Sequence, residues 1–345
     1  MNLSSTSDTY KSQAIIPPFD EIVSFENLFL SWREFQRGKS QKEDVAEFEL
    51  RLISHLSSLH RDLISGSYRH GGYTHFKVND SKPRDIHKAS VRDRVVHHAV
   101  YRALYPYFDR KFIFDSYSCR NEKGTHRALN RFASFARKEG LNHTRTVWVL
   151  KCDARKFFAS IDHGVLVAML QPHIQDMRFM AVIREIIDSF PSDGSMRGIP
   201  LGNLTSQLFA NVYLDPFDQY VKRTLRARHY IRYADDFVIL SDQKECLEKI
   251  FPSIADFLAD TLHLSLHETT PTLRTVASGI DFLGWVHFVD HRVIRRKTLV
   301  KMRRTLSANS SPETIASYLG MLSHGNAAHL REELLNLLDY DIIEA

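Results

Sequence analysis

The spacing of hydrophobic and polar residues changes along this chain between a helical period and short apolar runs. From Phe25 to Ser65, apolar side chains recur at mostly three- and four-residue steps, which predicts an amphipathic helix. Comparable spacing predicts further helices at about 91–108, 124–139, 163–190, 203–226, 243–261, 297–306 and 312–338. Short apolar runs predict strands at 147–153, at 229–241 as a hairpin, and near 273–289. The pattern indicates an α+β protein.

The hairpin predicted at 229–241 carries two acidic residues at its turn. Asp235 and Asp236 stand between the apolar runs Tyr230–Tyr233 and Phe237–Leu240. Neighbouring carboxylates raise each other's pKa unless a cation neutralises them, and an oxygen-only group of this kind suits Mg²⁺. The simpler interpretation is a solvated turn with no ligand.

A third acidic residue ends another predicted strand. Val147–Cys152 reads as a buried strand, and Asp153 follows it. A single Asp in that position is most often a helix cap or part of a turn. Here Asp153 is followed five positions later by Phe158, and Asp235 and Asp236 follow Tyr233 and Ala234, an order that resembles the palm of reverse transcriptases. The segment Gly198–Leu214 between them looks like motif B of that family.

The resemblance covers roughly residues 25–335. Residues 82–100 and 114–126 are similar to the two fingers motifs, and residues 279–285 look like the late palm segment. It implies a right-hand polymerase fold, with fingers, a palm built of an antiparallel sheet plus helices, and a small helical thumb. We expect a flexible arm at 1–24, fingers at 25–146, the palm at 147–290, and the thumb with a C-terminal tail at 291–345.

The resemblance also assigns roles to individual residues. Asp153, Asp235 and Asp236 would be the catalytic residues and would hold two Mg²⁺ ions. The nucleotide-binding residues would be Arg84, Lys88, Arg94, Phe158, Leu201, Gly202 and Gln207. On the residues alone, Phe158 could equally be a core residue, and the three cations could equally form surface salt bridges. His267 is a candidate general acid, because relatives usually carry a Lys in that region.

Motif B points to a subfamily. Most bacterial relatives, such as group II intron enzymes, have Gln-Gly followed by Ser-Pro, whereas this chain has Leu201-Gly202 and Ser206-Gln207. That combination resembles the reverse transcriptases of diversity-generating retroelements of bacteria and phages, as does the tail at 317–326. The resemblance implies an enzyme that copies a template-repeat RNA into cDNA with errors at adenines. It also implies dNTPs, a cDNA or DNA primer, and a small basic accessory protein that forms a pentameric barrel.

Composition and charge agree with a globular nucleic-acid enzyme. The chain has 345 residues, 43% hydrophobic content and a net charge of +5. Fifteen Lys and Arg against six Asp and Glu lie between Arg92 and Lys156, interleaved with the aromatic residues Tyr105, Tyr107, Phe108, Phe112 and Phe114. We expect this stretch to neutralise phosphates and stack on bases. Seven basic residues and no acid between Arg292 and Arg304 suggest a second such surface.

Other functional classes are disfavoured. No apolar run approaches the roughly 18 residues of a membrane span, and the start lacks a signal-peptide core, so a cytoplasmic protein without membrane contact is expected. The three cysteines form no CxxC pair, which argues against a disulfide framework or a zinc site. Two alternatives stay open: another bacterial reverse transcriptase, of a retron or group II intron, and a non-catalytic polymerase-like scaffold that binds RNA.

Overall fold

The computed structural model describes residues 15–79, 83–190, 194–267, 271–308 and 311–343. The helices are α1 (Phe19–Ile22), α2 (Phe25–Gln36), α3 (Glu43–Leu50), α4 (Leu52–Ile64), α5 (Val91–Asp109), α6 (Thr125–Glu139), α7 (Phe157–Ser160), α8 (His163–Leu170), α9 (Met177–Asp188), α10 (Leu204–Gln219), α11 (Lys244–Leu262), α12 (Arg296–Ala308), α13 (Pro312–Leu322) and α14 (Ala328–Ile343). The strands are β1 (Tyr73–Asn79), β2 (Pro83–Ala89), β3 (Trp148–Asp153), β4 (His229–Tyr233), β5 (Asp236–Ser241), β6 (Thr272–Thr275), β7 (Ile280–Phe282), β8 (Trp285–His287) and β9 (Arg292–Ile294).

The strands form three antiparallel sheets. The central sheet has the order β4-β5-β3-β6, and the other two are the hairpin β1-β2 and the sheet β7-β8-β9. The strands predicted at 147–153 and 229–241 are therefore confirmed as β3 and the β4-β5 hairpin. The α+β class with an antiparallel sheet is confirmed as well.

Strand alternation places the central sheet between two hydrophobic cores. Successive side chains of a strand point to opposite faces, so Leu150 and Cys152 of β3 enter one core while Val149 enters the other. The first core also contains apolar residues of α2, α5, α9, α10 and α11. The second contains residues of α6, of the β7-β8-β9 sheet and of α12–α14. The central sheet, whose strands β3 and β5 include Asp153 and Asp236, is thus packed on both faces.

Four predicted segments differ from the structure, among them the helix predicted at 163–190, which is divided into α8 and α9. The arm predicted at 1–24 includes α1, where Phe19 and Ile22 are buried in the first core; residues 1–14 lie outside the described residues. The helix predicted at 25–65 is divided into α2, α3 and α4, with Gly38 at φ +68° after α2. Residues 312–338 are divided into α13 and α14, because the loop between them packs on Trp285 so closely that a Cβ at Gly325 would lie 2.0 Å from its ring.

No helix within the described ranges is both long enough and apolar enough to cross a membrane. Cys119, Cys152 and Cys246 are all free thiols, as their spacing predicted. The proposed boundaries between fingers, palm and thumb remain a prediction. Apolar residues from the segments assigned to fingers and palm share one core, so the packing does not divide these two segments.

Candidate active site

The three aspartates lie side by side at one end of the central sheet. Asp153, the last residue of β3, pairs directly with Asp236, the first residue of β5. Directly opposed residues of an antiparallel pair project to the same face. Asp235 belongs to the tight turn between β4 and β5, and its carbonyl oxygen accepts a hydrogen bond from the Ala154 N–H at 3.4 Å. Residues more than 80 positions apart in sequence therefore meet at one site.

The local electrostatics single out Asp236. Burial raises the pKa of its carboxyl group to about 7, and the nearby charges of Asp153 and Asp235 act in the same direction. The ammonium of Lys151, 3.6 Å from Asp236 Oδ2, opposes that shift. Oδ1 of Asp236 is buried and has no hydrogen-bond partner among the residues that the structure describes. A buried carboxylate oxygen without a partner is unfavourable unless a cation or a proton satisfies it.

The donor set suits a hard divalent cation, because it consists of carboxylate oxygens. The side chains are nevertheless not gathered into a finished site. Within the described part of the chain, no three His, Cys, Asp or Glu side chains are arranged to hold a metal ion. The backbone brings the three aspartates together, as expected. Their side chains do not form a metal-binding cluster within the described residues.

Phe158 lies next to the aspartates in sequence and is tied to the motif B segment. It belongs to α7, is partly exposed, and packs edge-on against Phe157 with ring centroids 5.3 Å apart. The carbonyl of Phe158 accepts from the Ile199 N–H at 2.9 Å, and that of Ile161 accepts from the Gly198 N–H at 2.7 Å. These bonds fix the start of the motif B loop against the segment that follows Asp153.

The rest of the motif B loop is bonded to strand β2. The His87 N–H donates to the Leu201 carbonyl at 3.0 Å. The side chain of Asn203 donates to the His87 carbonyl at 2.8 Å and accepts from the Ala89 N–H at 3.3 Å. Asn203 occupies the N-cap position of α10, but its side chain makes no capping bond. The side chain of Asn203 bonds to β2 instead of to the first turn of α10.

Gly202 lets the motif B loop lie close to β2. Its φ is +114°, and a Cβ would lie 2.8 Å from Cγ2 of Ile86 on β2. The glycine therefore permits close contact with Ile86, and its part in nucleotide binding stays a prediction. Leu201, beside it, keeps a partly exposed side chain.

The predicted triphosphate-binding cations divide into two kinds. Arg84 on β2 is exposed. Lys88 and Arg94, by contrast, both bind Oδ2 of Asp44, at 2.9 Å and 2.7 Å. For Lys88 and Arg94 the structure shows the salt bridges that were the alternative interpretation.

Two other candidates lie near the site without a direct role being visible. Gln207 is partly exposed one turn before Asn211 on α10, and its carbonyl accepts from the Asn211 amide at 3.4 Å. His267 is exposed, and its backbone N–H donates to the Asp153 carbonyl at 2.9 Å. His267 is thus anchored beside a catalytic candidate, while residues 268–270 lie outside the described residues.

Sequence reasoning missed a buried ion pair beneath the β4-β5 turn. Arg232 of β4 binds both carboxylate oxygens of Asp218 on α10, at 2.7–2.9 Å, and both side chains are almost fully buried. Arg232 also donates to the carbonyl of Ala234 at 3.0 Å, immediately before Asp235, and to Oδ1 of Asn211 at 3.2 Å. The sequence feature that could have indicated this ion pair was an arginine within an otherwise largely apolar strand.

The basic and aromatic stretch at 92–156 is only partly the surface that was expected. Tyr105, Phe108 and Phe112 are buried in the core and cannot stack on bases, whereas Phe114 is 67% exposed. Several of the basic residues make ion pairs within the protein, among them Arg92, Arg94, Arg102, Arg120, Arg131 and Arg145. Burial of these rings and internal pairing of these cations explain why charge and aromatic content overstated this surface.

Comparisons with known proteins bear on this geometry. Residues 77–287, more than half of the chain, match the family described as reverse transcriptase (RNA-dependent DNA polymerase). The chain is 26% identical over 298 residues to protein YkfC of Escherichia coli, which covers 75% of this chain and 76% of that protein. It is 21% identical over 304 residues to the group II intron-encoded protein LtrA of Lactococcus lactis, which covers 68% of this chain and 49% of that protein.

Among solved structures, apo telomerase from Candida tropicalis aligns with a TM-score of 0.49 and 11% identity, over 70% of this chain and 60% of that one. The family match confirms the predicted right-hand polymerase fold and the prediction of an RNA-directed DNA polymerase.

Proposed function

This chain belongs to the reverse transcriptase family, and from that membership we propose that Asp153, Asp235 and Asp236 carry its DNA synthesis on an RNA template. The observation that supports this most is the direct pairing of Asp153 with Asp236 beside the Asp235 turn. The partnerless Oδ1 of Asp236 adds a position where a divalent cation would replace a missing contact.

The reaction is attack of a primer 3′-hydroxyl on the α-phosphate of a dNTP. Two Mg²⁺ ions, when bound, would lower the pKa of that hydroxyl and stabilise the charge on the leaving pyrophosphate. The carboxylates of Asp153 and Asp235 would hold both ions, and Asp236 would support them. Arg232 keeps the turn in place through the Ala234 carbonyl. His267, anchored at the Asp153 carbonyl, is the proposed donor of a proton to the leaving group.

Nucleotide selection would fall to the segments that meet around the aspartates. We propose that the partly exposed ring of Phe158 contacts the sugar and rejects a 2′-hydroxyl by steric clash. Arg84 would bind the triphosphate, because among Arg84, Lys88 and Arg94 it is the exposed one. Leu201, Gly202 and Gln207 would shape the pocket from the motif B side. Lys88 and Arg94 would contribute only if Asp44 released them.

The finer proposal is mutagenic copying for targeted gene diversification. It is supported by Leu201 where many relatives have Gln, since an aliphatic side chain gives no hydrogen bond to keep a mispair out. Its partners would be a template-repeat RNA and a small basic accessory protein that forms a pentameric barrel. The competing function, a group II intron-like enzyme, is favoured by the similarity to LtrA.

Sequencing of cDNA separates these functions. The purified chain would extend a primer on an RNA template with Mg²⁺, with and without the accessory protein. Errors concentrated opposite adenine support the diversification proposal. Errors spread evenly over the four template bases support the intron-like enzyme. A chain that binds RNA but makes no cDNA under any of these conditions is the non-catalytic scaffold.

A further inference from the structure

A buried chain of hydrogen bonds links the motif B helix to the base of the fingers hairpin. Thr205, in the first turn of α10, bonds through Oγ1 to Nδ1 of His97 at 2.7 Å. Nε2 of His97 faces Nε2 of His70 at 3.0 Å, and Nδ1 of His70 lies 2.6 Å from the Gly71 carbonyl oxygen. The two imidazoles are therefore in direct contact, with a hydroxyl at one end and a carbonyl at the other.

The carbonyl at the end of the chain fixes one of these bonds. A carbonyl oxygen only accepts, so Nδ1 of His70 donates to the Gly71 carbonyl. In the arrangement with both rings neutral, Nε2 of His97 donates to Nε2 of His70, and Nδ1 of His97 accepts from the Thr205 hydroxyl. Burial lowers the pKa of His97 well below its usual range, and the nearby His70 acts in the same direction.

The surroundings hold the chain rigidly. His97 and Thr205 are almost fully buried, and His70 Nδ1 lies 4.0 Å from Oδ2 of the buried Asp93. That carboxylate accepts from the Gly71 N–H at 3.0 Å, which holds the residue whose carbonyl ends the chain. The ring of His70 also stacks on Tyr73, the first residue of β1, at 4.9 Å between centroids.

We propose that the Thr205–His97–His70 chain is a positioning device for nucleotide binding, which sets the fingers hairpin against the motif B loop. The proposal rests on the proposed function, because it assigns these residues to the binding of the dNTP.

The path from the chain to the nucleotide is short. Gly71 precedes β1, β1 pairs along its length with β2, and β2 bonds to Leu201 and Asn203 through His87. Thr205 lies two residues after Asn203 on the same helix. A shift of His70 relative to Thr205 therefore moves the hairpin that carries Arg84 relative to the loop that carries Leu201. Asp153 on β3, Asp235 in the β4-β5 turn and Asp236 on β5 lie outside this path.

Thr205→Val tests the device, because valine has nearly the same shape but cannot donate to His97. Thr205→Ser is the matched control that keeps the hydroxyl. On a primed RNA template we expect Thr205→Val to raise the KM for dNTP about tenfold with a smaller change in kcat. We expect Thr205→Ser to stay within about twofold of the unmodified chain in both constants.

A structural role alone gives a different result. If Thr205→Val lowers only the unfolding temperature and leaves KM unchanged, or if Val and Ser behave alike, the positioning role is refuted. If the unmodified chain makes no cDNA, the proposed function fails instead, and the two failures are distinguishable.

A spectroscopic measurement covers the case in which Thr205→Val does not fold. In the unmodified protein with ¹⁵N-labelled histidine, the N–H···N bond between two imidazoles should give a ¹⁵N–¹⁵N coupling across the hydrogen bond. The donor ring should be protonated on Nε2 and the acceptor ring on Nδ1. Absence of that coupling, or the reverse protonation pattern, would overturn the proposal.

Discussion

Among the residues of the proposed active site, Asp236 has the charge state that depends most on its surroundings. Burial raises its pKa to about 7, so in the absence of a cation the folded protein holds a proton there that the unfolded chain releases near pH 4. The folded state binds more protons than the unfolded state between these values. Its stability therefore falls as the pH rises from about 4 to about 7.

Asp236→Asn removes this pH dependence, because the amide is neutral at every pH. In metal-free buffer we expect the variant to gain stability over the unmodified protein as the pH rises through that window, by on the order of 2–4 kcal/mol at pH 8. Urea unfolding at pH 5 and pH 8 measures the difference. A constant difference between the two proteins at both pH values would contradict the assignment of the raised pKa to Asp236.

Leu201 is the residue proposed to loosen selection of the nucleotide. Its backbone carbonyl holds β2 through His87, so a side-chain substitution leaves that contact in place. We expect Leu201→Gln to lower misincorporation opposite adenine roughly fivefold, the effect of about 1 kcal/mol from one hydrogen bond. Leu201→Met, which stays apolar, is the control. Sequenced cDNA with the same error spectrum for Gln, Met and the unmodified chain would remove this mechanism.

At the scale of elements, the strongly periodic segments were predictable and the breaks between them were not. The β4-β5 hairpin followed from two short apolar runs around two acids, which is a local signal. The division at Gly325 depends on Trp285, forty residues away, and the side chain of Asn203 bonds to β2 instead of its own helix. Such contacts depend on tertiary structure, which periodicity does not contain.

The contact between the motif B loop and β2 leads to a prediction for substitution of Gly202. We expect Gly202→Ala to lower the free energy of unfolding by about 2–3 kcal/mol, because it combines a positive φ with a clash against Ile86. Gly194→Ala is the matched control: φ is +71° there, but no atom lies within 4 Å of the new Cβ, so a loss of about 1 kcal/mol is expected. Equal losses in urea unfolding would show that the contact with Ile86 is not tight.

At the scale of the whole molecule, fingers and palm are expected to unfold together. Trp32 of α2 is buried in the same core against which Trp148 of β3 packs. Two variants that each keep one of these tryptophans, with the others changed to Phe, should give coincident urea midpoints by fluorescence. Separated midpoints would mean that the segment from 25 to 146 is an independent folding unit.

The family and the proximity of the three aspartates were predictable from sequence, because the acidic residues stand in short, ordered motifs. The supporting structure was not, because Arg232–Asp218 and the Thr205–His97–His70 chain join residues that no local pattern connects. Charge content was the weakest guide, since many basic residues of the 92–156 stretch are used in internal ion pairs.

Primer extension by aspartate variants tests the central claim most directly. With an RNA template, a DNA primer, dNTPs and Mg²⁺, we expect Asp153→Asn and Asp235→Asn to abolish cDNA synthesis while RNA binding stays within about twofold of the unmodified chain, because each removes a metal-holding carboxylate at nearly constant shape. Asp242→Asn, beyond the far end of β5, is the matched control and should retain synthesis. Sustained cDNA synthesis by Asp153→Asn or Asp235→Asn would contradict the account.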